Sequence, residues 1–361
     1  MHLVDPTMRW QAFRGASNSP LLAPRGVYLS GERLLVSDTG QNRVFIWNRL
    51  PTTEHQEPDL VLGQTDADAT GRNQGEATTA RSLQYPSGLW TDGQRLAVAD
   101  AWNHRVLLWH TWPTQPGQPA DVVLGQADFG GNAPNERGVG QEPSARSLYW
   151  PYGLTSDGTR LWIADTGNRR VLYYDHFPTE SYAPADRVIG QADFSARDYD
   201  AQNAVWPYSV KVGPAGQLSI TDTQYYRVLL WSHWQDAFTQ PPAALIGQPD
   251  REANGQNQFG LTPQANTLSW CYDTGFDGEG LWVADTGNSR MLWFDRVPEQ
   301  SNQVADAVWG PADFVTSSEN ADTIRGTEGA LYWPFCVAVT PTHLAVADTG
   351  NHRIILVHRT N

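Results

Sequence analysis

Short runs of β-branched and aromatic residues, separated by polar turns, recur along the whole chain. The third copy shows the pattern most clearly, with apolar runs at residues 150–154, 161–165, 170–174 and 187–190. The turns between the first three runs contain Asp157-Gly158 and Thr166-Gly167-Asn168. Runs of this length bounded by such turns predict consecutive antiparallel strands. Each copy therefore predicts a sheet of four strands.

An aspartate followed five residues later by an arginine marks the same place in six copies. The aspartates are Asp38, Asp100, Asp165, Asp222, Asp285 and Asp348, at intervals of 57 to 65 residues. Self-similarity at such a period indicates an array of one supersecondary unit. Small four-stranded sheets bury both faces by packing on their neighbours around an axis. The sequence predicts an all-β, six-bladed β-propeller of four-stranded antiparallel blades, formed by residues 1–361 as a single domain.

The fourth strand has only five copies, at residues 61–64, 123–126, 188–191, 245–248 and 308–311. The sequence ends at Asn361 before a sixth can occur. Near the start of the chain, Gln11-Ala12-Phe13 resembles Gln191-Ala192-Asp193-Phe194 with the aspartate missing. We therefore expect residues 8–10 to supply the outer strand of the last blade, which closes the propeller and covers a sheet edge.

The phrase VADTGNHRI at residues 346–354 resembles the signature of the NHL-repeat family, named after its Asn-His-Leu triplet. The matching triplets here are Asn351-His352-Arg353 and Asn103-His104-Arg105. The resemblance covers residues 24–357 and implies a bacterial NHL-repeat six-bladed propeller. The family includes RNA-binding and protein-binding modules, a zinc-dependent peptide-amidating lyase and many bacterial proteins without an assigned role, so the resemblance leaves function open.

The repeated aspartate and arginine are interpreted as turn-holding groups, since a feature that every blade needs is rarely catalytic. A carboxylate that ends one strand and a guanidinium that opens the next can form charge-assisted hydrogen bonds across the turn. The alternative is a functional role, in which the six pairs form matched charges around a rim of the propeller.

Composition narrows the class of partner. The net charge is −14, with one lysine, and no basic run is present, which argues against nucleic acid. The N-terminal residues lack the layout of a signal peptide, and no apolar run is long enough to cross a bilayer. These features predict a soluble, cytoplasmic protein with no membrane partner.

Both cysteines fall among the three residues that begin the first strand of a blade, which we call the opening of the blade. Blades one to four have a small residue at the third position of the opening, whereas blade five has Cys271-Tyr272-Asp273 and blade six has Cys336 at the third position. Cys271, Asp273 and Cys336 are candidate ligands for a metal ion in the propeller channel, because thiolates favour soft metals. The alternative is that the cysteines fill gaps as small core residues.

Aromatic residues precede or follow most of these openings. The candidate partner-binding residues are Tyr85, Trp150, Tyr152, Trp206, Tyr208, Trp270 and Trp333. Aromatic side chains offer a large contact area and can bind a peptide or a cation, although they also pack between blades. Long polar loops at residues 130–147 and 250–266 are expected on the same face.

The sequence contains no Ser-His-acid arrangement that can be singled out, no HExxH and no phosphate-binding loop, so no catalytic residue is assigned. It favours a non-enzymatic scaffold that presents a loop-bearing aromatic face to a protein or peptide, with an accessory role in metalloprotein assembly as one version. An acidic scaffold favours a basic partner segment. The alternative is a metal-dependent lyase or hydrolase with its site at the channel mouth. No cofactor other than that metal ion is expected.

Overall fold

The computed structural model describes residues 9–200, 202–322, 326–327 and 329–359. The strands form six four-stranded antiparallel sheets, which are the blades of a six-bladed β-propeller. The chain divides into two compact units. The N-unit is residues 14–199 and contains blades one to three, and the C-unit is residues 1–13 with 200–361 and contains blades four to six. The single domain over residues 1–361 stays a prediction.

The N-unit contains three blades built from consecutive strands. Blade one consists of β2 (Gly26–Ser30), β3 (Arg33–Asp38), β4 (Arg43–Trp47) and β5 (Leu60–Leu62). Blade two consists of β6 (Pro86–Thr91), β7 (Leu96–Asp100), β8 (Arg105–Trp109) and β9 (Val122–Leu124). Blade three consists of β10 (Pro151–Ser156), β11 (Leu161–Asp165), β12 (Arg170–Tyr174) and β13 (Arg187–Ile189).

The C-unit contains two blades of consecutive strands and one that takes its outer strand from the start of the chain. Blade four consists of β14 (Pro207–Val212), β15 (Leu218–Asp222), β16 (Arg227–Trp231) and β17 (Ala244–Ile246). Blade five consists of β18 (Cys271–Asp277), β19 (Gly280–Asp285), β20 (Arg290–Phe294) and β21 (Ala307–Trp309). Blade six consists of β22 (Pro334–Val339), β23 (His343–Asp348), β24 (Arg353–His358) and β1 (Arg9–Phe13).

Strand β1 closes the last blade, as the sequence predicts. It pairs antiparallel with β24, from Arg9 opposite His358 to Phe13 opposite Ile354. The Phe13 side chain is fully buried, and the Trp10 ring packs edge-on against Trp309 with centroids 4.4 Å apart. The strand extends three residues beyond the expected end at residue 10, and Met8 lies outside the described residues.

The hydrophobic core lies between neighbouring blades of each unit. In the N-unit, one apolar cluster joins blades one and two and another joins blades two and three. In the C-unit, two clusters join blades four and five and blades five and six. The middle strands are buried on both faces, which is why their sequences are continuous apolar runs rather than alternating ones.

A short 3-10 turn follows the second strand of every blade, and the residue after it has left-handed backbone. These turns are Thr39–Gln41, Ala101–Asn103, Thr166–Asn168, Thr223–Tyr225, Thr286–Asn288 and Thr349–Asn351. The other 3-10 segments are Arg72–Gly75, Pro134–Glu136, Trp234–Phe238, Gln256–Phe259 and Glu319–Asp322. No α-helix occurs in the described part of the chain.

The repeated aspartate and arginine hold this turn, which confirms their structural interpretation. In all six blades the arginine Nε donates to the aspartate Oδ2 at 2.7 to 3.0 Å, with both side chains buried. In blade three, Asp165 Oδ1 also accepts the Tyr149 N–H at 2.7 Å, and Oδ2 accepts from Asn168 at 2.8 Å. Besides holding the turn, the aspartate of the pair therefore fixes the segment that precedes the first strand of the blade.

The long loops are anchored to the same turns through reciprocal asparagine pairs. Asn73 and Asn103 exchange two amide hydrogen bonds at 3.1 and 2.8 Å, and Asn135 and Asn168 do so at 3.0 and 2.8 Å. The C-unit repeats the arrangement with Asn257–Asn288 and Asn320–Asn351. The loop asparagine has left-handed backbone in each case, a conformation that asparagine tolerates.

Candidate functional site

The aromatic residue before the first strand has left-handed backbone in four blades. The φ angles are 56° for Tyr85, 53° for Trp150, 50° for Trp270 and 51° for Trp333. This region is sterically unfavourable for a bulky side chain, and such residues concentrate at functional sites. Trp206 is different, because its backbone is not left-handed and its N–H donates to Asp222 Oδ1 at 2.9 Å.

In three of these blades, the backbone N–H of the left-handed residue donates a hydrogen bond to a side chain of the preceding blade. Asn42 Oδ1 accepts from Tyr85 at 3.0 Å, and Ser289 Oγ accepts from Trp333 at 3.4 Å. His104 Nδ1 accepts from Trp150 at 3.1 Å. Burial lowers the pKa of His104 to about 4, so the ring is neutral at pH 7 and can accept this bond.

The rings at these openings differ in exposure. Trp270 and Trp333 are 41% and 45% exposed, whereas Tyr85, Trp150, Tyr152 and Trp206 are half-buried. Tyr208 is 5% exposed and packs edge-on against Tyr272, with centroids 4.5 Å apart. Of the seven predicted partner-binding residues, Tyr208 alone is a buried side chain.

The N-unit brings two of these residues together with two that the prediction omits. We call Arg25, Tyr85, Trp102 and Tyr152 the Tyr85 cluster. The Tyr85 ring stacks on Trp102 with centroids 4.4 Å apart and planes 11° apart, and the Arg25 guanidinium lies 5.1 Å from the Tyr85 centroid. Trp102 Nε1 donates to the Tyr152 hydroxyl at 3.4 Å. Trp102 is 43% exposed, so the cluster presents an indole to solvent.

Trp102 stands at a turn position that is glycine in four other blades. Gly167 is the equivalent in blade three, where a Cβ would lie 2.4 Å from the Tyr149 ring. In blade two, Gln84 occupies the place of Tyr149. Comparison of the six copies could have revealed Trp102 from the sequence.

The three candidate metal ligands do not form a metal-binding group. In the described part of the chain, no three His, Cys, Asp or Glu side chains are arranged to hold a metal ion. The Cys271 thiol is fully buried and donates to the Arg227 carbonyl at 3.2 Å. Burial raises the pKa of this thiol well above its usual range. Cys336 is half-buried.

Asp273 pairs with a lysine instead. Its Oδ2 accepts the Val337 N–H at 3.1 Å and lies 3.4 Å from Lys211 Nζ. Lys211 is the one lysine in the chain. The ion pair joins blades four and five, and the hydrogen bond from Val337 connects Asp273 to blade six.

The sequence is similar to a curated relative along most of its length. That protein is NHL repeat-containing protein 2 of Gallus gallus, which is 22% identical over 360 residues that cover 93% of this chain. The described strands form six blades at the positions of the six repeats. The chain is an NHL-repeat β-propeller. It spans 46% of the length of the chicken relative, and no sequence-family profile matches it.

A solved structure shares the fold of this NHL-repeat propeller at low identity. An auxiliary nutrient binding protein from Bacteroides thetaiotaomicron matches with a TM-score of 0.54 and 10% identity, over 97% of this chain and 76% of that one. A streptogramin B lyase has a TM-score of 0.47 to this chain, at 10% identity over 97% of each chain. Among the described residues, no helix of the propeller has the length and apolar character needed to cross a membrane.

Proposed function

We propose that this NHL-repeat propeller is a non-enzymatic binding scaffold that holds a protein or peptide through the aromatic residues at its blade openings. The observation that carries the proposal is the left-handed backbone of Tyr85, Trp150, Trp270 and Trp333. Blade one has the same conformation at Ala23, with φ of 48°. The turn therefore needs no ring, and four blades nevertheless place a bulky aromatic at a position that costs about 1–3 kcal/mol.

The charge of the protein supports a basic partner segment. The net charge is −14, which attracts a basic segment over long range at low salt. Exposed indoles such as Trp102, Trp270 and Trp333 then provide the aromatic faces that bind ammonium and guanidinium groups best. Asparagine pairs already hold the adjacent loops in place. These loops would therefore lose little conformational freedom when a partner binds.

The metal-dependent lyase or hydrolase has no comparable support. Its three proposed ligands are not gathered, and the Cys271 thiol bonds to a backbone carbonyl. A role as an accessory factor in metalloprotein assembly would need Cys271 and Cys336 to handle a metal, so the burial of Cys271 does not favour it.

The test is selection from a displayed library of random short peptides at low salt. We expect arginine- and lysine-rich peptides to be enriched, and binding of the selected peptides to weaken at least about tenfold in Trp102→Gly, in keeping with the loss of an aromatic anchor. Glycine is the residue of four other blades, so the variant should fold.

Phe259→Ser is the control for loss of an exposed aromatic ring, because Phe259 is exposed but is not one of the residues at the blade openings. The proposal fails if no peptides are enriched, or if Trp102→Gly and Phe259→Ser affect binding equally.

A further inference from the structure

An aspartate just before the fourth strand caps the third strand in blades one, two, three and five. Its Oδ2 accepts the backbone N–H of the residue after the third strand at 2.7 to 2.8 Å, in the pairs Asn48–Asp59, His110–Asp121, Asp175–Asp186 and Asp295–Asp306. In blade four the equivalent residues are Ser232 and Ala243. The Ser232 N–H therefore lacks the carboxylate that its counterparts have.

A pocket lies at this place in the C-unit. It has a volume of about 210 Å³ and is lined by residues of blades four and five, among them Ser232 and Ala243, which are both exposed. An engineered cavity of about 150 Å³ holds benzene, so the pocket suits a compound slightly larger than that ring. Because Ala243 lines the pocket, the space that an aspartate carboxylate fills in the other blades is open to a ligand here.

Larger side chains occupy the equivalent junctions in the N-unit. There an arginine of one blade lies over an aromatic ring of the next, 4.2 and 4.5 Å from the ring centroid in the pairs Arg33–Trp112 and Arg95–Phe177. The imidazole of His110, at the place of Ser232, also lies 3.3 Å from the Pro178 carbonyl oxygen. Between blades four and five, Gln217 and Val297 replace the arginine and the ring, and both line the pocket.

The walls of the pocket combine hydrogen-bond donors, a carboxylate and an apolar surface. Ser232 offers its N–H and its hydroxyl, and an incoming carboxylate can take the place of the missing aspartate at the N–H. Glu299 contributes a negative charge that can pair with an ammonium group. The apolar surface is formed by Leu230, Trp231, Val297 and Pro298.

The charge of the protein favours a ligand without net charge. A simple anion would be repelled by Glu299 and by the net charge of −14, whereas a zwitterion carries its own compensating ammonium. We propose that this pocket binds a free α-amino acid with an apolar side chain. Its carboxylate accepts from the Ser232 N–H, its ammonium faces Glu299, and its side chain lies on the apolar surface. This site is independent of the peptide-binding residues proposed above.

The test adds L-leucine to the full chain and measures binding by saturation-transfer NMR and calorimetry. Isocaproate is the same molecule without the ammonium group, and isoamylamine is the same molecule without the carboxylate. We expect L-leucine to bind more tightly than either compound, because only L-leucine meets both the Ser232 N–H and Glu299. Trp102→Gly should leave this binding unchanged.

Ala243→Asp tests the role of the missing cap. It introduces the aspartate of the other blades, whose carboxylate would occupy the Ser232 N–H. We expect the variant to fold, as checked by circular dichroism, and to bind L-leucine at least about tenfold more weakly, because the ligand loses a charge-assisted hydrogen bond. Ala192→Asp is the matched control, since it adds the same charge at an exposed alanine that does not line the pocket.

Ser232→His is the second variant if Ala243→Asp does not fold. It copies His110 of blade two and should weaken binding by filling the pocket. The proposal is overturned if the folded protein does not bind L-leucine, or if isocaproate or isoamylamine binds as tightly as L-leucine. Equal binding of L-leucine by Ala243→Asp and Ala192→Asp would also overturn it.

Discussion

Replacing Arg170 by methionine should destabilise the protein far more than the loss of an ordinary ion pair. The guanidinium Nε donates to Asp165 at 2.7 Å, and its other nitrogens donate to the carbonyls of Phe194, Ser144 and Ser147. Methionine has a similar length but no donor. The variant therefore leaves a buried carboxylate without its counterion and several carbonyls without a donor.

The expected loss in the free energy of unfolding follows from the burial of this ion pair. Removing one partner of a buried ion pair typically costs about 3–5 kcal/mol, against total stabilities of about 5–15 kcal/mol. Asp165→Asn in addition to Arg170→Met removes the unpaired charge. The double variant should therefore be more stable than Arg170→Met alone, although less stable than the natural protein.

Guanidinium-induced unfolding, followed by tryptophan fluorescence and by circular dichroism, measures these free energies. The control is Arg160→Met in the same blade, whose pair with Asp157 at 2.7 Å is partly exposed and should contribute less than about 1 kcal/mol. Equal losses for Arg170→Met and Arg160→Met would refute the argument that the repeated pair holds the turn. So would a double variant that is less stable than Arg170→Met.

Three further predictions concern single positions. His104 has a lowered folded pKa of about 4, so its contribution to stability is present above pH 6.5 and is lost as pH falls through 4, by about 3 kcal/mol; His104→Asn, which copies Asn42, should remove this part of the pH dependence of unfolding. Phe13→Ala should cost about 3–5 kcal/mol in chemical unfolding because the ring is fully buried in the closing strand, and a loss below about 1 kcal/mol would contradict that packing. Cys271 should not react with a thiol reagent until the protein unfolds, and rapid modification in the native state would contradict its burial.

The fold could be predicted because the repeated phrase occurs six times within one chain. Asp165 and Arg170 have counterparts in every copy, so the blade could be defined from its own repeats. The missing sixth copy of the fourth strand identified the closing segment near Phe13. These signals can be recognised in the sequence without knowing which distant residues are in contact.

The site was less predictable because neighbouring blades determine its geometry. A residue before proline, such as Tyr85, is expected to be extended. Its backbone is instead left-handed, and its N–H donates to Asn42 of the preceding blade. Asp273 could be identified as unusual, but its pairing with Lys211 and Val337 depends on contacts between blades. Cys271 does not share these partners, because its thiol donates to the Arg227 carbonyl.

The closing strand determines how the propeller responds to a pulling force. Arg9 lies opposite His358 in the antiparallel β1–β24 pair, so tension applied at these two residues acts at one end of the ladder. Such a load separates the hydrogen bonds one after another rather than shearing them together. The last blade should therefore peel open at low force and expose the edge of β24, which would make this blade the mechanically weakest of the six.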